Sequence, residues 1–252
     1  MSAEIKLAIV AALEREVRPL IRHWRVREQI HATRAYRFYE HEATVVVCGG
    51  IGTEAARRAT EAAISLYAPD KICSAGFAGA LDPKLKVGNI LEPRQVINFA
   101  DSSRIESEQF ATASSGKILI TFNTVATPAQ KRILRESYSA DAVDMEAAAV
   151  ARAAEIRGIP FAAIKAISDE VDFAFPSIER FVDSAGRFRE TQFALYAAFR
   201  PWLWPRLMRL ARNSNRASRA LCARLEEVIA DQAARPQCES KSPIGKSLGS
   251  KV

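Results

Sequence analysis

The chain has 252 residues, of which 48% are hydrophobic and 8% aromatic, so it is long enough for one sizeable core and fits one large domain better than two. Its formal net charge of +7 is concentrated near the C-terminus: residues 199–252 hold 11 Lys or Arg against 4 Asp or Glu, whereas residues 1–198 hold 25 of each. Because the basic excess is confined to one tail, the composition argues against a nucleic-acid-binding protein.

Short apolar runs alternate with longer polar-faced segments along the chain. The apolar runs predict buried strands at 6–13, 43–50, 70–76, 116–122 and 160–168. The longer segments predict helices at 53–67, 128–138 and 145–157. This alternation predicts an α/β fold, a single domain with a central mixed, mostly parallel sheet flanked by helices.

Loops that leave the carboxyl ends of such strands line the ligand crevice of the sheet. The loops expected to converge there are 14–17, 49–53, 76–80 and 168–172. The first glycine cluster, at 49–52, could present backbone amides to an anion or a sugar hydroxyl, but it could equally be a turn without a ligand. Residues 75–81 are interpreted as a second glycine-bearing turn.

Two carboxylates flank one helix-strand unit. Glu146 opens the helix at 145–157, and Asp169 directly follows the apolar strand at 160–168. A single acid at a helix start is usually a partner of the helix dipole. Two acids at one edge of a sheet instead suggest acid/base chemistry on a polar organic substrate.

Histidine and cysteine spacing predicts neither a metal site nor a cofactor. All three histidines fall within 23–41, and the four cysteines form no CxxC pair. We therefore expect a protein of the reducing cytoplasm.

Six segments, taken together and in order, resemble the nucleoside phosphorylase superfamily, and in particular its methylthioadenosine/S-adenosylhomocysteine nucleosidase branch. They are "AIVAALEREVRPL", "GGIGTEAA", "AGFAGAL", "LKVGNI", "AVDMEAAAVA" and "AISDEVD". The resemblance implies a nucleoside phosphorylase-like catalytic domain over 1–198. It also implies a purine nucleosidase that hydrolyses the N-glycosidic bond of an adenosine derivative, such as 5'-methylthioadenosine or S-adenosylhomocysteine, and releases adenine. A homodimer is expected.

The resemblance assigns roles to individual residues. Asp169 matches the acid that protonates the purine at N7, and Ser168 matches the hydroxyl that orients it. Glu146 matches the residue that binds the ribose hydroxyls, with Met145 packing on the sugar. Glu16 matches the base that positions the attacking water.

Further substrate contacts are expected from Gly52, Phe77, Ala78, Asn123 and Val125. Two of these depart from the nucleosidase pattern. Phe77 replaces a small hydroxyl residue and so removes a hydrogen bond at the nucleophile site. Asn123 lies in a shortened base-binding loop, which leaves adenine specificity open. The missing stacking face could come from Phe77 or from another nearby phenylalanine, although each fits a packing role better. These phenylalanines are Phe122, Phe173 and Phe175.

The nucleophile separates the main alternatives. Phosphorylases of the superfamily carry an arginine two residues before the glycine that matches Gly76, and Ser74 occupies that position here. Glu16 would also repel phosphate, so water is expected. Phosphorolysis stays open because Arg15 and Arg18 are nearby in sequence. A non-catalytic nucleoside-binding protein is a further alternative that Phe77 and Asn123 favour, although the presence of all three acidic residues argues against it.

The segment 199–231 reads as a basic amphipathic helical extension, too interrupted by arginine to span a bilayer. A helical hairpin packed on the core is the favoured interpretation, and contact of 199–224 with an anionic membrane surface is the other. The segment also resembles the tail of hopanoid-associated phosphorylases, which implies phosphorolysis of an adenosylated hopanoid lipid as an alternative activity. Residues 232–252 are expected to be disordered.

Overall fold

The computed structural model describes residues 5–110, 116–174 and 204–234. Its strands are β1 Leu7–Ala11, β2 Arg25–His31, β3 Arg34–His41, β4 Thr44–Cys48, β5 Lys71–Ala80, β6 Ile90–Leu91, β7 Gln95–Asn98, β8 Arg104–Glu106, β9 Ile118–Thr121, β10 Ala142–Asp144 and β11 Phe161–Asp169. Its helices are α1 Glu14–Ile21, α2 Thr53–Tyr67, α3 Pro128–Tyr138, α4 Ala147–Ile156 and α5 Trp204–Ala234.

The strands form one mixed sheet in the order β2-β3-β4-β1-β5-β10-β9-β7-β8, with β11 paired to both β5 and β6. Parallel pairs join β4, β1, β5 and β11 in the centre, and they also join β10 to β9 and β9 to β7. Antiparallel pairs occur towards the edges and between β5 and β10. The predicted α/β architecture, a mixed sheet flanked by helices, is confirmed.

Strand β5 changes partner along its length. On one edge it pairs with β1 as far as Ser74, and with β10 from Gly79 onwards. Within the described residues, no strand pairs with residues 75–78 on that edge, so the sheet opens there. The expectation of a turn at 75–81 was wrong, because β11 pairs with β5 from Ile72 to Gly79 and supplies hydrogen bonds that keep the glycine-bearing segment extended.

Helices cover both faces of the sheet. Helices α2 and α4 pack together on one face, where alanines such as Ala59, Ala62 and Ala151 are fully buried and allow close approach to the strands. Helices α1 and α5 share the opposite face. Each strand of the centre is therefore buried on both sides, as its continuous apolar sequence predicted.

The single helix α5, 31 residues long, replaces the predicted hairpin. Residues 206–234 contain neither glycine nor proline, so nothing breaks the helix locally. Its second half buries Leu221, Leu225 and Val228 against α1 and the sheet, whereas Trp204 and Met208 in its first half are exposed.

Part of the tail prediction is therefore wrong, and part is untested. Residues 232–234, expected to be disordered, are helical because α5 continues to Ala234. Residues 175–203 and 235–252, which include Phe175 and Trp202, lie outside the described residues. None of the described helices has the length and apolar character needed to cross a bilayer.

Candidate active site

A cavity of about 370 Å³ lies where β5 lacks a strand partner. Its walls come from the ends of β1, β10 and β11, from the first turn of α1, from α3 and from the loop before α3. All ten residues that the sequence nominated line it, namely Glu16, Gly52, Phe77, Ala78, Asn123, Val125, Met145, Glu146, Ser168 and Asp169. The structure therefore brings the nominated residues together, while their individual roles remain predictions.

Glu16 lies in the first turn of α1, so residues 14–17 form a helical turn where a loop was expected. The side chain is only 6% exposed, and burial raises the pKa of its carboxyl group although Lys165 opposes the shift. The backbone N–H of Leu13 donates to its Oε2 at 3.4 Å. A Cβ atom at Gly76 would lie 3.0 Å from the same oxygen, so the absence of a side chain there gives the carboxylate room.

Glu146 occupies the N-cap position of α4 rather than its first turn. The backbone N–H of Gly52 donates to its Oε1 at 2.9 Å, and Gly52 can present this N–H because glycine tolerates its φ of +95°. Burial, reinforced by repulsion from Asp144, raises the pKa of Glu146 to about 8. One backbone amide of the glycine cluster at 49–52, that of Gly52, thus binds the Glu146 carboxylate of this protein.

Lys165 is a buried cation close to Glu16 and Glu146, and it is only 1% exposed. Its Nζ lies 2.9 Å from Asp144 Oδ2 and donates to Ser74 Oγ at 3.0 Å. Asp144 also accepts from Thr121 Oγ1 at 2.7 Å. Sequence reasoning missed Lys165, although a lysine within the apolar run "FAAIKAI" was an available signal.

The cavity is therefore divided electrostatically. At what we call the sugar end, three acidic side chains, those of Glu16, Asp144 and Glu146, lie near the cations of Lys165 and Arg15. This excess of acidic groups is unfavourable for a further anion, and repulsion from Asp144 adds to the effect of burial in raising the pKa of Glu146.

The opposite end, the base end, contains one carboxylate with its own cation. Ser168 Oγ donates to Asp169 Oδ1 at 2.7 Å, and Lys131 Nζ forms an ion pair with Asp169 Oδ2. Lys131 also donates to the Glu170 carbonyl at 2.8 Å and is 2% exposed. Sequence reasoning missed Lys131, because a lysine on a polar helix gives no sign that its ammonium turns inwards.

Among the described phenylalanines considered for base stacking, Phe77 alone lines the cavity. Phe122 packs edge-on against Phe99, with ring centroids 4.7 Å apart, in a separate core cluster. Phe173 is buried beneath the guanidinium of Arg209, 5.1 Å from its ring centroid.

The chain matches known proteins over most of its length. A family model described as the Phosphorylase superfamily matches residues 6–116 and 120–200. A 5'-methylthioadenosine/S-adenosylhomocysteine nucleosidase from Buchnera aphidicola is 27% identical over 201 residues, which cover 67% of this chain and 86% of the relative.

Two solved structures from Helicobacter pylori share the fold. One is a mutant of that species' nucleosidase with 5'-methylthioadenosine in the active site, with a TM-score of 0.68, 17% identity and coverage of 90% of this chain and 99% of the other. The second is a futalosine hydrolase, also with a TM-score of 0.68 and 17% identity, covering 90% of this chain and 98% of its own. Both similarities concern the fold.

Proposed function

Because this chain belongs to the phosphorylase superfamily, we propose that it is a purine nucleosidase that hydrolyses the N-glycosidic bond of an adenosine derivative and releases adenine. The observation that carries the proposal is the division of one cavity into an acidic sugar end and a lysine-paired base end. Cleavage of this bond needs a positive sugar-like transition state stabilised at one end and a proton supplied to the leaving base at the other.

At the base end, Asp169 protonates N7 of the purine. The glycosidic electron pair then moves onto the base, and adenine leaves as a neutral molecule. Ser168, hydrogen-bonded to the carboxylate at 2.7 Å, fixes its orientation. General acid catalysis of this kind contributes about 10² to 10⁴ in rate.

At the sugar end, Glu146 accepts hydrogen bonds from the ribose hydroxyls, and Glu16 takes a proton from the attacking water. The raised pKa of Glu16 suits a general base, because a stronger base removes the water proton more readily. The acidic surroundings also stabilise positive charge that develops on the sugar.

Water fits this cavity better than phosphate does. Lys165 is already engaged by Asp144 and Ser74, so its charge is not available to a phosphate dianion. Arg15 lines the cavity and keeps phosphorolysis as the second candidate, whereas Arg18 does not line it.

An adenosine derivative with a 5'-thio substituent is the preferred substrate class. The Buchnera relative is named for 5'-methylthioadenosine and S-adenosylhomocysteine, and the Helicobacter structure holds 5'-methylthioadenosine in its active site. Phe77 at the cavity wall gives the ligand an apolar contact surface.

The test is to incubate the purified protein with methylthioadenosine, S-adenosylhomocysteine, adenosine and inosine, with and without phosphate, and to identify the sugar product. We expect adenine and a free sugar at a rate independent of phosphate. A sugar 1-phosphate would instead establish a phosphorylase. Nucleoside binding without turnover would establish a non-catalytic binding protein.

We also propose that the protein is a cytoplasmic homodimer that contacts anionic membrane surfaces through the first half of α5. Five arginines and no acidic residue occur from Trp204 to Arg219, and Trp204 and Met208 are 52% and 56% exposed. Arginine combined with exposed tryptophan is typical of a helix that lies at a membrane surface. Sedimentation of the full chain tests the dimer.

Vesicle binding tests the membrane contact. Replacing Arg206, Arg212 and Arg219 with glutamine should weaken binding to anionic vesicles by about 1 kcal/mol per residue at low salt. The matched control replaces Arg22, Arg25 and Arg157, which are exposed outside α5, with glutamine. Equal binding by the two triple variants would contradict the proposal.

A further inference from the structure

The ion pair between Lys131 and Asp169 is the most buried charged contact at the base end of the cavity. The two side chains are 2% and 4% exposed, and both residues line the cavity. The function proposed above uses Asp169 alone. A general acid must hold a proton when the substrate arrives, and the structure places the proton-bearing ammonium of Lys131 directly against the Asp169 carboxyl group.

We propose that Lys131 is the proton-supplying residue of the base end, passing a proton through Asp169 to N7 of the purine. This inference rests on the proposed nucleosidase function. Lysine ordinarily keeps its proton throughout the neutral range, whereas a lone carboxyl group has lost it by about pH 5. The ion pair therefore places a proton donor directly behind Asp169.

The transfer is balanced as follows. One N–H bond of the Lys131 ammonium breaks and an O–H bond forms at Asp169 Oδ2, which converts the ion pair into a neutral amine and a neutral acid. The new O–H bond then breaks as N7 takes the proton, and the N9–C1' bond breaks with its electrons moving onto the base. Lys131 afterwards regains a proton from solvent, which receives the proton released by the attacking water.

Burial favours the first proton transfer, from Lys131 to Asp169. Separated charges are favoured mainly by water, so a ligand that covers the cavity lowers the advantage of the ion pair over the neutral pair. Two hydrogen bonds fix the geometry of the pair. Lys131 Nζ donates to the Glu170 carbonyl at 2.8 Å, and Ser168 Oγ donates to the other Asp169 oxygen.

The neighbouring backbone leaves space for the pair. A Cβ atom at Gly79 would lie 2.8 Å from Asp169 Oδ2 and 3.3 Å from Lys131 Nζ. Any side chain at that position would therefore displace the two groups. Glycine at position 79 is explained by this contact.

Other charged groups lie around the pair. The Glu170 side chain points to Lys86, 3.4 Å away, while its backbone carbonyl faces Lys131. The remaining charged groups that line or border the cavity are Arg15, Glu16, Asp144, Glu146 and Lys165. Because these lie at the sugar end, their titration should affect every substrate that carries the same sugar.

The test compares two ribosides over pH 5 to 9 in the full chain, methylthioadenosine and p-nitrophenyl riboside. Nitrophenolate leaves without needing a proton, so the ratio of the two kcat values isolates proton supply. In the wild type we expect this ratio to be nearly constant with pH. In Lys131→Met, Asp169 must collect its proton from solvent, so the ratio should fall about 100-fold or more between pH 5 and 8.

Lys131→Arg separates charge from proton supply, because arginine keeps the positive charge but does not release its proton. We expect it to remain as impaired with methylthioadenosine as Lys131→Met at pH 8. Lys117→Met is the matched control, since it removes an ion-paired lysine that does not line the cavity and should lower both substrates equally.

Several outcomes would overturn the inference. They are a wild-type ratio that already falls between pH 5 and 7, an unchanged ratio in Lys131→Met, and full rescue by Lys131→Arg. The wild-type measurement needs no variant to fold. If the wild type cleaves neither riboside, the proposed function itself fails, which is a distinguishable result.

Discussion

The two ends of the cavity contain the same kinds of charged residue in different proportions. The sugar end has three acidic side chains near Lys165 and Arg15, whereas the base end has one carboxylate and Lys131. At the sugar end burial, reinforced by repulsion from Asp144, raises the pKa of Glu146, and the excess of acidic groups opposes another anion. At the base end the single carboxylate is balanced by the single ammonium of Lys131. The difference teaches that charge ratio, more than residue type, distinguishes the electrostatics of the two ends of one cavity.

The largest expected effect is on turnover, and it tests the base end. Asp169→Asn should lower kcat for methylthioadenosine about 10² to 10⁴-fold, because an amide cannot pass a proton to N7. Steady-state kinetics measures the loss, and thermal melting checks that the fold is retained. Asp141→Asn is the control, since Asp141 is a buried, ion-paired aspartate that does not line the cavity. Retention of most activity by Asp169→Asn would remove this residue as the acid.

The second effect is on stability, and it tests the sugar end. Lys165→Met should lower the free energy of unfolding by about 3–5 kcal/mol, because Asp144 would remain buried without its cation. Urea denaturation measures this quantity. Lys117→Met should cost less, since the Lys117 side chain is 30% exposed and its ion pairs are screened by solvent. Equal losses would mean that Lys165 is not the specific counter-charge of this end.

The smallest effect is a dependence of stability on pH. The folded-state pKa of Glu146 is raised to about 8 from an ordinary value of 4.5, so the folded protein holds a proton that the unfolded chain loses. Wild-type stability should therefore decline between these pH values, and Glu146→Gln should lack that part of the decline.

Melting temperatures from pH 5 to 8.5 measure this contribution. We expect the wild type to lose stability relative to Glu146→Gln as pH rises, and the exposed control Glu155→Gln to follow the wild type. Parallel curves for wild type and Glu146→Gln would show that Glu146 does not titrate in this range.

Much of the fold could be predicted because its signals are local. The five predicted strands and three predicted helices occur near their expected positions, since apolar runs and capping residues such as Thr127 act over a few neighbours. The continuation of β5 to Ala80 could not be predicted in this way. It depends on hydrogen bonds from β11, which follows about 80 residues later in the chain.

The residues of the candidate site likewise divide into those with a local sequence signal and those whose position depends on long-range contacts. Glu16, Glu146 and Asp169, which lie near a strand end or a helix start, are visible in sequence, and all three line the cavity. Lys131 and the charge balance around Lys165 depend on which elements meet in space. The first half of α5 was correctly predicted to be basic and helical. Whether the segment forms a hairpin or one continuous helix depends on the packing of its second half against α1, which the sequence does not show.

The contact between α1 and α5 has a consequence for how the protein is made. The Ser218 hydroxyl donates to the Glu16 carbonyl at 2.9 Å across 202 positions of sequence, and Leu221 and Leu225 cover the same face. During synthesis, the helix that carries Glu16 leaves the ribosome early, while the helix that covers it is translated much later. Nascent chains therefore expose the apolar side of α1 for most of elongation, the period in which such surfaces aggregate or recruit chaperones. The part of the cavity that contains Glu16 is thus among the last to be completed as the described fold forms.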